Sequence, residues 1–319
     1  MISELSPQSQ SFLTDIERIQ QSVAQANQQV SSGLRVNVAS DAPDVISNLL
    51  QLRSELQRNT QITTNLGIAS TDANVSESAL SSATQLMDQA LSLAAQGATA
   101  TTDATGRQSL AGQVQAIEEQ MVSYSLTQSG GRYVFSGDQD TQPMYQLDLT
   151  NANAPPNGTG TGNGAGVDRL ITPSNTRVVE NPAGGTFPVS LTAQQIFDNR
   201  NADGSLAADN VYQALDSLRN ALLNNDQNAI TNATTSLRTA SDYLNQCLAF
   251  YGATQDRIQD ATNFAANYNV QLQTQISQTQ DADVAVASLE LSQGTTHLQA
   301  AFQMEANIPR STLFDYLSQ

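Results

Sequence analysis

His297 and Cys247 are the sole histidine and the sole cysteine among 319 residues, and lysine is absent altogether. That inventory excludes an intrachain disulfide and any Cys/His zinc site, and it leaves a Cys–His pair only if these two residues meet. The P-loop lysine, Schiff-base chemistry and pyridoxal phosphate attachment go with the missing lysine. Cys247 falls on an apolar helical seam and reads as a small core residue. His297 adjoins seam residue Leu298 with no metal-ligating partner at suitable spacing, and reads as a surface or interface histidine. Glu118-Glu119 and Asp281/Asp283 are paired acids, which in principle could share acid–base work, but on helices they read as a solvated face.

Two glycine motifs also weaken on inspection. Gly160-Thr-Gly162-Asn-Gly164-Ala165 fits a GxGxxA pattern, yet it lies in a Gly/Thr/Asn tract without a preceding apolar strand or a following helix, and reads as a loop. Asn199-Arg-Asn201-Ala-Asp203-Gly204 begins like a calcium loop, but Asn210 stands where the bidentate glutamate belongs, so a turn before the next helix is expected. No catalytic residue, metal ligand or cofactor is expected.

Thirty acidic residues oppose thirteen arginines, a net charge of -17 that repels phosphate backbones and anionic membranes, so neither nucleic-acid binding nor membrane insertion is expected. Core material is thin, at 39% hydrophobic and 5% aromatic with no tryptophan. Residues 1–11 have no basic region followed by the apolar run of about 7–15 residues that a signal peptide needs, and no stretch approaches the ~18 apolar residues of a membrane span. Any export is therefore expected to proceed without a cleaved signal peptide.

The elements that carry these residues follow from periodicity. Phe12, Ile16, Ile19, Val23, Ala26 and Val30 recur in steps of four and three, a narrow heptad seam. A second helix is expected after Asp41 as N-cap, with Pro43 in its first turn and seam positions from Ile46 to Ala94, stopped by Gly97. A shorter one carries Leu110, Val114, Ile117 and Met121. The seam from Ile230 to Leu272 is the longest and spans roughly 60 Å as a helix. The last runs through Val284, Ala287, Leu291, Gly294, Leu298 and Ala301 to Pro309, with Ser311 capping a final turn.

Between Gly130 and Pro188 lie ten of the 18 glycines and six of the nine prolines, with short β-type runs at residues 133–135, 177–179 and 186–189. The expected fold is mainly α: an elongated helical bundle with terminal coiled-coil arms and a small β-rich insertion, both termini at one end. The divisions are an N-terminal arm (1–42), the bundle's first half (43–135), the β-rich insertion (136–208), the bundle's second half (209–275) and a C-terminal arm (276–319).

Ordering about thirty arm residues costs on the order of 30–60 kcal/mol, while each buried seam residue returns about 1.5–3 kcal/mol. Backbone hydrogen bonds narrow that gap without closing it, so the arms are expected to be mobile in a lone monomer and to fold against neighbouring copies.

Several segments carry a family resemblance. Ser31–Pro43 (SSGLRVNVASDAP) after a Gln-rich arm, and Asp281–Pro309 (DADVAVASLELSQGTTHLQAAFQMEANIP), resemble the two conserved ends of bacterial flagellins and their junction relatives. Gly130–Gly137 (GGRYVFSG), with Pro143, Tyr145 and the ending Ser311–Leu317 (STLFDYL), is most similar to the hook-associated protein 3 (FlgL) family of hook–filament junction proteins. The likeness covers about residues 10–140 and 210–317.

It implies terminal arms joined as one coiled-coil domain, a helical bundle and an outer β domain. It also implies a non-enzymatic structural subunit outside the cell, exported with a chaperone's help and placed between hook-associated and flagellin neighbours. On that basis the axial contacts are assigned to Phe12, Ile16, Ile19, Val23 and Val30 on one arm and Leu291, Leu298, Phe302, Leu313, Phe314 and Leu317 on the other. The competing readings are a filament flagellin, which would polymerise alone, and a secreted surface-binding module with a pocket formed by Tyr133, Asp138 and Tyr145.

Overall fold

A computed structural model describes residues 7–150 and 165–307. The chain is mainly helical, with a small β region between its helices. In order come α1 (Pro7–Ser32), α2 (Ile46–Gly97), α3 (Ala104–Ser125), β1 (Gln128–Ser129), β2 (Arg132–Tyr133), β3 (Tyr145–Leu147) and β4 (Val167–Arg169). Then follow β5 (Val178–Glu180), β6 (Thr186–Pro188), α4 (Ala193–Phe197), α5 (Val211–Leu223), α6 (Gln227–Gln280) and α7 (Val284–Asn307). Two compact units divide them: one holds residues up to Arg58 and from Tyr268 onward, the other Asn59–Asn267.

The second unit is built on the long seams. On α2, Leu66, Ala73, Leu80, Ala83, Met87, Ala90 and Ala94 are buried, as are Val114, Ile117 and Met121 on α3 and Ile230, Leu237, Ala240 and Leu244 on α6. The 3,4 spacing puts each set on one helical face, and the many alanines let the helices approach closely. At the end of α2, Arg107 donates to the carbonyl of Gly97 (2.9 Å) and to Asn225 Oδ1 (2.5 Å), which satisfies a helix C-terminus that its own backbone leaves open.

Among the described residues the β region has three separate antiparallel ribbons, β1–β2, β3–β4 and β5–β6. They share one continuous hydrophobic cluster with the helices, in which Phe135 meets Phe197 and Tyr251 edge-on. Arg177, which leads into β5, ties the ribbons to α2. Its guanidinium contacts Asp72 at 2.6 Å and Asp140 at 2.9 Å and donates to the Tyr133 carbonyl at 3.1 Å.

The first unit begins with the α1 seam, which Gly33 ends at φ +72°. Next, the amides of Arg35 and Val36 both donate to the Gln280 carbonyl (2.7 and 3.2 Å), and the amide of Ala282 donates to Gly33 (2.9 Å). Leu34 thereby bridges Asp281 in antiparallel register. The two terminal motifs meet each other at these backbone bonds, and Arg53 adds a bond to Gln280 Oε1 (2.9 Å).

Several expectations are corrected. Asp41 does not cap α2: its Oδ2 is taken by the upstream amides of Asn37 and Val38, each at 2.8 Å, and the helix starts at Ile46. The run 133–135 is β only through Tyr133, since Val134 and Phe135 turn into the core. β3, β4 and the short α4, whose Thr192 and Gln195 form a capping box, had no counterpart in the sequence reading. Pro309 and Ser311 lie outside the described residues.

Candidate assembly interface

Within the first unit α1 and α7 lie along each other, and their sense is antiparallel: Leu34 pairs with Asp281 while Val23 lies against Gly294. The innermost positions are Ile16 and Ala26 on α1 and Ala287 on α7, all buried. A Cβ on Gly294 would stand 2.5 Å from Val23 Cγ2, so a missing side chain sets the closeness of the two helices. Gly294→Ala gains roughly 1 kcal/mol of helix propensity but must displace a β-branched side chain that has few rotamers, at about 1–3 kcal/mol. The expected result is lower hydrogen-exchange protection across α1, restored when Val23→Ala is added; protection unchanged in the single variant contradicts this packing.

The seam residues assigned to assembly divide into four groups. Ile16 is buried by the arm pairing itself. Phe12, Ile19, Val23, Val30, Leu291 and Leu298 are half-buried along its flanks. Phe302 is 54% exposed. Leu313, Phe314 and Leu317 lie outside the described residues.

Sequence reasoning missed a further set. Val286, Leu289 (58% exposed) and Met304 (66% exposed) point away from Ala287, roughly 100–160° around the helix at about 100° per residue. Leu13 is displaced in the same way from the α1 seam. The signal was present in the sequence, because α7 is apolar at positions that do not belong to its seam, so its apolar side chains cannot all fall on the face that α1 covers. Beside these residues a polar cleft of about 410 Å³ is lined by Gln25 and Gln29 of α1, Arg35 and Asp41 of the turn, and Asp283 and Glu290 of α7.

The residues that could have done chemistry are placed elsewhere. Cys247 is buried, and burial pushes its thiol up to about 11, far from the reactive thiolate range. His297 is exposed on α7. Asp283 Oδ1 accepts from the amides of Ala285 and Val286 (3.0 and 3.1 Å) and caps α7, and Asp281 accepts from Ser277.

In the calcium-like turn the ligand groups satisfy one another: Asn199 donates to Asp209, Asp203 Oδ1 accepts from Ser205, and Arg200 donates to Gly204. Residues 160–164 of the GxGxxA tract lie outside the described residues. Glu119 is exposed, but Glu118 is buried, so they form neither an acid pair nor a common solvated face.

The trio Tyr133, Asp138 and Tyr145 does not share one surface. Tyr145 is sealed in the core and donates to Asp198 (3.0 Å), its hydroxyl held well above the ordinary range by burial and then by the Asp198 charge, while Asp138 is exposed and accepts from the Ser174 amide. Among the described residues no three His, Cys, Asp or Glu side chains are grouped to hold a metal ion, and no helix is long and apolar enough to cross a membrane.

Comparison with known proteins bears on the same segments. Residues 2–140 match the bacterial flagellin N-terminal helical region. Flagellar hook-associated protein 3 of Escherichia coli is 26% identical over 197 residues, which are 61% of this chain and 58% of that one. The match thus spans less than two thirds of the relative's length. Among solved structures, a protein assigned as flagellar hook-associated from Vibrio parahaemolyticus superposes with a TM-score of 0.60 at 17% identity, covering 76% of this chain and all of its own. Flagellar hook associated protein-3 of Legionella pneumophila gives 0.58 at 12% identity, with 72% and 98% covered. These two likenesses describe fold.

Proposed function

We propose that this chain, a flagellin-family protein of the hook-associated protein 3 type, is a structural subunit of the junction between flagellar hook and filament. It polymerises through its two helical arms and performs no catalysis. The observation that carries this reading is the apolar surface of α7 left over after α1 has covered its inner face: Val286, Leu289, Phe302 and Met304. Fully burying such a side chain is worth about 1.5–3 kcal/mol, a return available when neighbouring copies or other flagellar subunits stack on the arm pair.

The sequence places the same work on both flanks of the α1–α7 seam, with Leu313, Phe314 and Leu317 continuing it. The partners are then copies of this chain, hook-associated and flagellin neighbours, and an export chaperone that shields the arms before assembly. The location is extracellular. The five-part division, with arms at 1–42 and 276–319, belongs to this reading.

Immunogold labelling of intact appendages tests it. Label confined to one band at the distal end of the hook is the expected outcome. Label along the whole filament, together with purified protein that forms long filaments alone, identifies a filament flagellin instead.

A further inference from the structure

The buried acid Glu118 belongs to the second unit and is not among the residues assigned to assembly. It sits on α3 among Val114, Ile117 and Met121, facing Arg219 of α5, and both side chains are more than nine-tenths buried. Arg219 Nε lies 3.1 Å from Glu118 Oε2, but its N–H is not aimed at that oxygen, and neither oxygen of Glu118 accepts a well-formed hydrogen bond. The guanidinium is engaged by a second buried carboxylate, Asp216, at 2.5 Å, which Asn220 also bonds at 2.9 Å. The charged groups facing Glu118 are therefore Arg219 and Asp216 from α5 and, along its own helix, the exposed Glu119. Two carboxylates and one guanidinium leave an uncompensated negative charge in the helical core unless a proton stays on one acid.

We propose that Glu118, Arg219 and Asp216 form a proton-operated lock between α3 and α5. With a proton on Glu118 the cluster is neutral and the helices stay closed. As the pH rises, the open form, in which Glu118 is solvated and ionised, gains on the closed one. Burial is the main force that raises the Glu118 acid to about 8, against an ordinary 4.5, and the attraction of Arg219 is too small to offset it.

The direction follows by linkage. In the closed form Glu118 binds its proton more tightly than in the open form, so stability is full below about pH 4.5 and is lost progressively up to about pH 8, above which both forms are ionised and the loss stops growing. One proton is released per opening, which makes the opening constant rise about tenfold per pH unit inside that window.

Hydrogen exchange of the full chain reads this directly. Protection factors, corrected for the intrinsic pH dependence of exchange, are expected to fall about tenfold per pH unit between pH 6 and 8 for amides of residues 114–122 and 212–222, and to level off above pH 8. Glu118→Gln, which mimics the protonated acid, is expected to be flat over the same range. A flat wild-type profile, or the same slope in Glu118→Gln, overturns the proposal. Asp216→Asn provides a second arm if the glutamine variant does not fold: with one carboxylate on one guanidinium the levelling moves to lower pH, and a profile still levelling at pH 8 overturns the lock.

Discussion

Cut to residues 41–275, the chain is expected to remain a helical monomer and to lose all ability to join flagellar filaments. The cut removes α1 and α7 together, whereas the hydrophobic cluster that runs from Ile62 to Ala261 is untouched. Substitutions separate the role of the surface from that of the arms' bulk. Leu289→Asp with Phe302→Asp alters two side chains that are more than half exposed, so the arm pair should keep its helicity.

Losing about 1.5–3 kcal/mol at each site on association lowers the association constant by roughly 10²–10⁴ for the pair, before the cost of burying two carboxylates is added. Circular dichroism checks the monomer, and sedimentation with electron microscopy of mixtures with flagellin checks assembly. If the double variant assembles as the parent does, the exposed apolar surface of α7 is not the contact, and if the trimmed chain still joins filaments, the arms are not required at all.

Much of the helical architecture was legible because it is written in long repeats. A stripe such as Leu66, Leu80, Met87 and Ala94 repeats often enough to fix both the helix and its buried face, and Gly97 marks its end. Strands of two or three residues offer no such repetition, which is why β3 and β4 were not readable even though Tyr145 and Val167 are core residues. The Thr192–Gln195 capping box is legible in principle, since Thr followed three residues later by Gln is the pattern that opens a helix such as α4.

At the arms, the seam identified which faces pair but not with what. The structure buries Ile16, Ala26 and Ala287 inside a single chain, and leaves off-seam residues such as Leu289 and Met304 exposed. Glu118 is obscured by its residue type rather than by its position. It stands four residues after Val114 and three before Met121, on the apolar face, and Arg219 stands likewise four after Leu215 and three before Leu222. Two opposite charges on two apolar stripes were a legible sign of a buried contact.

The GGRYVFSG motif supplies the other large effect. Gly137 closes it with φ +57°, and a Cβ there would stand 2.5 Å from the backbone oxygen of Asn175 and 3.0 Å from Pro173 Cβ. The close approach serves the crossing of two loops: the Asp138 amide donates to that same oxygen (3.2 Å), and Asp138 Oδ1 accepts from the Ser174 amide (3.0 Å). Just upstream, the Phe135 carbonyl accepts from the Ala193 amide at 2.7 Å, while its ring fills the aromatic cluster.

Gly130 in the same motif has φ +56° but open space around it, so the pair separates backbone strain from collision. Gly130→Ala should cost about 1–2 kcal/mol, the penalty of a left-handed residue alone. Gly137→Val adds a β-branched side chain driven into a backbone oxygen that cannot rotate away, and about 3–5 kcal/mol is expected. Urea unfolding of the full chain measures both, with limited proteolysis showing whether residues 132–200 come loose first. Equal losses in the two variants would show that the loop crossing at Asn175 yields freely, and that Phe135 is held in place by the aromatic cluster alone.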